Sequence, residues 1–361
     1  MNLQTQVGQL LMIGFDGTEL PQELIAWLKE YQPGGIIVFS RNLVDRDQIA
    51  ELTNSLQAQA TQAPLLIGID QEGGRVSRLP KGFTIFPPAA TVAACHSPDL
   101  AYQAAAVTAQ ELRAVGINMN MAPVLDINSN PSNPIIGNRA FSEDPDEVCR
   151  MGEATIAGFH DHGVLACGKH FPGHGDTTTD SHKELPIVGL SKEHIDRIEL
   201  KPFRHAISRD LRAIMSAHVR YPALDDTAPA TLSHAVMTIL LRQEMGFTGL
   251  SLSDDLEMNA IVDHLSVGDA AVQSLQAGVD LLLICHRLDR QTEAVEAIQR
   301  ALSSGELSPP SIKLSLARLS EIKQRFLNPY QPVDPLTISQ LVGCPSHLEI
   351  LNKIQTFSAK A

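Results

Sequence analysis

The sequence predicts an α/β fold, a closed (β/α)8 TIM-type barrel in one domain. Three observations carry this: short apolar runs recur along the 361 residues, amphipathic stretches separate them, and polar residues collect where the runs end. The runs are 9–15, 34–39, 64–70, 117–123, 165–171, 213–219, 249–255 and 279–284. Each is too short for a buried helix and reads as a strand that is apolar on both faces, as parallel strands are. Strand and helix patterns alternate throughout, which implies a parallel sheet, and eight such units favour closure into a barrel.

Between the runs, 21–31, 45–60, 100–115 and 266–276 have helical periodicity. Asp45 and Ser266 are expected to cap helix starts, and Gly34, Gly116, Gly163 and Gly278 to mark helix stops ahead of strands. Ser308-Pro309 should open a further helix with a cap and a proline at its first position, running to about Leu327. The barrel domain is thus expected over 1–329. Residues 330–361 form a C-terminal extension, Pro-spaced as far as Cys344-Pro345 and helical from about Ser346.

Composition narrows the function. The chain is 43% apolar and 19% charged, with a formal net charge of -13, so nothing draws it to nucleic acid or to an anionic membrane. No apolar run approaches the roughly 20 residues of a membrane helix, and the first residues lack the basic and apolar regions of a signal peptide. The five cysteines are scattered with no C-x-x-C pair, which suits a reduced, cytoplasmic protein. We expect a monomer or weak homodimer.

In a barrel, catalytic groups converge from the carboxyl ends of the strands. Asp70, Asp126, Lys169-His170, His218 and Asp254-Asp255 all fall at or just past such ends. The most informative string runs from Lys169 to His182, KHFPGHGDTTTDSH, from a strand end into a Gly/Pro-rich loop. Asp180 and His182 are two apart and share a side of an extended loop. A carboxylate on one ring nitrogen orients an imidazole and raises its basicity, leaving the other nitrogen to exchange a proton near pH 7. The competing reading is a loop held by hydrogen-bonded histidines. A metal site would need His170 and His174 to converge on a helix, which Pro172-Gly173 forbids, so neither metal nor cofactor is expected.

Ser253-Asp254-Asp255 ends a strand in adjacent carboxylates that point to opposite sides; one can face a substrate while donors hold the other in the wall. A helix N-cap is the alternative. Asp70 through Arg78 offers a carboxylate and a guanidinium suited to adjacent sugar hydroxyls, around a Gly73-Gly74 turn. The stretch from Pro123 to Phe141 brings Arg139 over the same mouth, unless Arg139 is a surface salt bridge.

Together these four segments resemble glycoside hydrolase family 3, in particular its single-domain bacterial β-N-acetylglucosaminidases of cell-wall recycling. The likeness runs from about Val7 to Leu327, and the Lys169–His182 string is its most specific part. The resemblance implies Asp254 as nucleophile, His182 as acid/base and Asp180 as its partner. It implies that Asp70, Arg78, Arg139, Lys169 and His170 hold a terminal N-acetylglucosamine. The implied reaction removes β-linked N-acetylglucosamine from muropeptides with retention, through a covalent glycosyl-enzyme. Within the family a β-glucosidase, a β-xylosidase or a phosphorylase stays open. Outside enzymes the rival is a non-catalytic sugar-binding barrel.

Overall fold

The computed structural model describes residues 2–179, 181 and 184–358. Among them, eight parallel strands close into a barrel: β1 (Leu11–Ile13), β2 (Gly35–Val38), β3 (Leu66–Ile69), β4 (Met119–Asn120), β5 (Leu165–Phe171), β6 (Ala213–Ser216), β9 (Leu250–Asp255) and β10 (Leu281–Ile284). Every strand lies within one of the eight apolar runs. An antiparallel hairpin, β7 (Arg220–Tyr221) with β8 (Asp225–Pro229), follows β6 and lies outside the barrel sheet. The sixth run ends there: its last residues leave the sheet after Ser216. No helix among the described residues is long and apolar enough to cross a membrane.

The wall is apolar on both faces. Outward residues such as Ile36, Ile67, Ile214 and Leu282 join the cluster beneath the outer helices. Inward residues Met12, Ile37, Met119, Met121, Cys167, Met215 and Leu252 fill the barrel. Unbranched methionine suits this tapering interior, because its three rotatable bonds let it fill irregular space. Gly68 makes the room: a Cβ there would sit 2.9 Å from the Met121 methyl.

Leu319, Ile322, Phe326 and Leu327 belong to the same interior cluster. They come from helix Pro309–Leu327, which lies against the amino-terminal ends of the strands, since a Cβ on Gly34 would meet both Leu319 and Leu281 at 3.1 Å. Asp280, fully buried just ahead of β10, fixes this plug. It accepts from Ser315 and Arg318 at 2.8 Å each, from the Ser251 amide at 3.0 Å, and from Arg242. The floor of the barrel is therefore sealed, and the opposite end is free to hold a site.

Helix ends match the expected punctuation with two exceptions. Asp45 accepts from the amides of Asp47 and Gln48, and Ser266 from that of Asp269. Gly116, Gly163 and Gly278 take positive φ where helices stop. Gly34 does not: helix Gln22–Tyr31 ends on Gln32 at φ 51, whose side chain bonds Leu28 O and Gln59 O, so a local network carries the left-handed residue. Ser308 occupies the cap position of its helix, but its side chain makes no capping bond.

The C-terminal extension also differs from expectation. The Pro-spaced part contains a helix, Pro335–Leu341, before the helix Pro345–Ser358. Asp334 caps the first through the Leu336 amide, and Pro335 sits at its first position, so proline here starts a helix. Asn54 and the Val333 backbone exchange two hydrogen bonds. Buried Glu111, on helix Pro98–Ala114, accepts from Thr84, the Gly343 amide and His347 Nδ1. The segment is thus strapped across two outer helices.

Candidate active site

A cavity of about 350 Å³ opens at the carboxyl ends of the strands, within the roughly 300–1,000 Å³ of small-molecule sites. Asp70, Arg78, Arg139, Lys169, His170 and Asp254 all line it. Asp180 and His182 lie outside the described residues, although their neighbour Ser181 lines the cavity.

One wall is a buried charge network. Lys169 Nζ stands 2.7 Å from Asp70 Oδ1 and 2.7 Å from Glu72 Oε1. Arg139 grips Glu72 through Nε and Nη2, at 2.8 Å each. Arg78 is 4.0 Å from Asp70. Arg139 is accordingly no surface salt bridge: its side chain is only 10% exposed, and its fork is matched to a buried carboxylate. Burial works against ionisation of Glu72, but Lys169 and Arg139 outweigh it and hold its carboxyl far below the usual range. Burial likewise opposes the Lys169 charge, and Asp70 and Glu72 outweigh it, so that its pKa is raised. Glu72 and Lys169 therefore stay ionised at neutral pH.

His170 and His174 share a second anchor, Asp126, which has no exposed surface. One Asp126 oxygen takes His170 Nδ1 at 2.7 Å; the other takes the amides of His170 and His174, at 3.0 and 2.7 Å. Burial opposes the Asp126 charge, but His170 lowers its pKa. With Nδ1 turned to Asp126, His170 has Nε2 left for the cavity. His174 is spent on structure, its ring nitrogens bonding Thr177 and Ser181 at 2.8 and 3.3 Å. Burial, then His170, push it down to about 4, so it is neutral. For His174 the loop-strut reading holds.

The described part of this segment is firmly seated. Asn133 donates to the carbonyls of His174 and Gly175, 2.9 Å each. Gly175 is required there, since a Cβ would fall 1.6 Å from Ile127 O.

Asp254 and Asp255 end β9 with distinct surroundings. Asp255 accepts from the amides of Glu257 and Cys285, at 3.1 and 3.2 Å, and faces His286 Nε2 at 3.3 Å. That hydrogen bond raises the His286 pKa. Asp254 Oδ1 accepts from the Asp255 amide at 2.8 Å and is half-buried in the cavity wall. His218 lies outside the cavity: it is fully buried, bonded to Thr231 and to Asp255 O, and braces the end of β9.

Sequence reasoning passed over Glu72 and the anchoring role of Asp126. Glu72 sits two residues after Asp70, so alternation was a signal; that it has two cation partners, 67 and 97 positions away, was not visible locally. The Asp255–His286 pair joins neighbouring strand ends and left no sequence mark.

A closed parallel barrel with a charged cavity at the carboxyl ends of its strands is the architecture of a barrel enzyme. The model of the glycosyl hydrolase family 3 N-terminal domain matches residues 2–322, and the chain belongs to that family. Beta-hexosaminidase A of Pseudoalteromonas piscicida is 38% identical over 91% of this chain, which spans 59% of that longer protein. Beta-hexosaminidase of Nitrosomonas eutropha is 37% identical over 92% of this chain and 97% of its own length. Among solved structures, a family 3 β-N-acetylglucosaminidase from Paenibacillus sp. str. FPU-7 superposes with a TM-score of 0.93 at 43% identity, over 99% of this chain and 69% of that one. By family the chain is a glycoside hydrolase, and the relatives from Pseudoalteromonas and Nitrosomonas carry β-hexosaminidase names.

Proposed function

We propose that this protein is a retaining exo-β-N-acetylglucosaminidase. The observation that carries the proposal is the single cavity in which Asp254 shares walls with the Asp70–Lys169–Glu72–Arg139 network and His170. Hydrogen-bonding charges on one side suit sugar hydroxyls, and a carboxylate at the mouth of β9 suits an anomeric carbon. A cavity sealed beneath by helix Pro309–Leu327 accommodates a chain end, which fits exo action.

In the proposed reaction Asp254 attacks the anomeric carbon while His182 protonates the leaving oxygen. A covalent glycosyl-Asp254 forms, and water, deprotonated by His182, then releases the sugar. Retaining glycosidases commonly use two carboxylates; here Asp180 orients an imidazole instead. Asp70, Arg78, Lys169 and His170 bind the sugar. Arg139, held by Glu72 as Lys169 is, lines the same wall and binds the sugar with them. The choice of Asp254 over Asp255 has local support, since Asp255 is committed to the Cys285 and Glu257 amides and His286.

A substrate with an anionic aglycone, such as a muropeptide, gives a reason for the imidazole. A second carboxylate about 4 Å from the substrate's acid would be repelled by about 4 kcal/mol at an effective dielectric near 20; a neutral or cationic imidazole would not. A muropeptide substrate, a cytoplasmic setting and a monomer or weak homodimer complete the proposal.

The test compares aryl β-N-acetylglucosaminide with aryl β-glucoside for wild type, Asp254→Ala and His182→Ala. We expect the N-acetylglucosaminide to be preferred and each variant to lose at least about 100-fold in kcat/KM. Preference for the glucoside, or an unimpaired variant, would contradict the proposal or the role concerned.

A further inference from the structure

The sealed end of the barrel has a cavity of its own, of about 440 Å³. It lies between the segment ahead of β3 and the last turns of helix Pro309–Leu327. Gln9 and Lys323, each 5% exposed, form its floor. Gln62, Ser320 and Gln324 are exposed at its rim, with half-buried Tyr330 beside them.

Lys323 is the unusual member. Its Nζ donates to Gln9 Oε1 at 3.0 Å, and among the described residues it has no other hydrogen-bond partner and no ion pair. Two of its three donors are left over. Among the described residues no carboxylate lines the cavity. Buried charges are normally paired, and an unpaired ammonium is costly. Burial alone brings this amine down to about 7. An aliphatic side chain would serve better if the position only filled space against Leu319 and Leu327. The remaining lining is neutral and carries amides and hydroxyls, which pair with sugar hydroxyls.

We propose that this cavity binds a small polyhydroxylated oxyanion, a sugar acid or a sugar phosphate, with its anionic group on the Lys323 ammonium and its hydroxyls against Gln62, Ser320, Gln324 and Tyr330. Binding supplies the missing counter-ion, so the amine takes up a proton where it was neutral. The site is on the opposite end of the barrel from Asp254 and shares no residue with that cavity. Because the helix that carries Lys323 also plugs the barrel, a bound anion stabilises the whole fold by mass action.

The experiment is a thermal-shift series on the full chain with gluconate and with glucose 6-phosphate. Glucose and sodium chloride of matched ionic strength serve as controls, at pH 6 and pH 8.5, for wild type, Lys323→Met and Gln324→Glu. We expect Tm to rise by about 2 °C or more with at least one anion over both controls. The gluconate rise should be larger at pH 6, and whichever anion acts identifies the head group. Lys323→Met should abolish the rise, and Gln324→Glu, an exposed change that brings a negative charge to the rim, should weaken binding at least tenfold. Hydrolase activity should be unchanged in both. No rise with either anion, an equal rise with glucose, or a rise that persists in Lys323→Met would overturn the site. Should Lys323→Met fail to fold, persistence in Gln324→Glu would do so.

Discussion

At the scale of residues, the candidate site depends on the partners that hold its cations in place. Glu72 holds Lys169 and Arg139 at once, and removing its charge leaves buried Arg139 without its anion and Lys169 with Asp70 alone. Breaking a buried pair on one side costs about 3–5 kcal/mol. Glu72→Gln should therefore lower both stability and kcat/KM, the latter by about 100-fold and mainly through KM, measured on aryl β-N-acetylglucosaminide. A variant with wild-type KM would show that the network is purely structural. Arg78, 4.0 Å from Asp70 and partly exposed, is less committed to the protein and more available to ligand than Arg139. That distinction could not be read from the sequence, where both are single arginines in polar loops.

At the scale of elements, the loop after β5 rests on Glu199, which ends the π-helical turn Ile195–Glu199. This carboxyl is 1% exposed, bonds Ser129 at 3.2 Å, and packs against Gly173. Burial, then Asp126, raise its pKa from 4.5 to about 7. Asp176 adds to this from the loop itself, and Tyr221 donates to Gly173 O from the far side. The sign follows from linkage: the raised pKa adds stability that is complete below pH 4.5 and is lost as pH rises through 7. The Tm of wild type should fall across that window by more than that of Glu199→Gln, and equal slopes would contradict it. Elements were legible where periodicity is strong, as in all eight barrel strands. The hairpin β7–β8 and the helix Pro335–Leu341 were not. The hairpin is short and part-exposed, and the helix is seven residues long and starts on a proline that also reads as a spacer.

At the scale of the whole molecule, one end of the barrel is closed and the other reactive. Closure rests on Asp280, which ties β9, helix Pro309–Leu327 and Arg242 to one buried carboxylate. Asp280→Ala should destabilise the protein by about 3 kcal/mol or more in denaturant unfolding, because Arg242 and Arg318 lose their counter-ion. A loss under about 1 kcal/mol would show that the plug is held by its apolar face alone. The barrel itself was legible because its wall is apolar on both sides and its polar residues sit at strand ends. The charge network was not, because it joins residues about 70 to 100 positions apart, and nothing local to either end marks its partner.

In the proposed reaction Asp254 attacks the anomeric carbon of a terminal β-N-acetylglucosamine. The direct measurement is azide rescue of Asp254→Ala on an aryl β-N-acetylglucosaminide, with Asp255→Ala alongside and the product's anomeric form read by proton NMR. A nucleophile's absence leaves room for azide on the same face, so restored aryl release and an α-glycosyl azide are expected from Asp254→Ala alone. Rescue of Asp255→Ala instead, or a β-glycosyl azide, would contradict it.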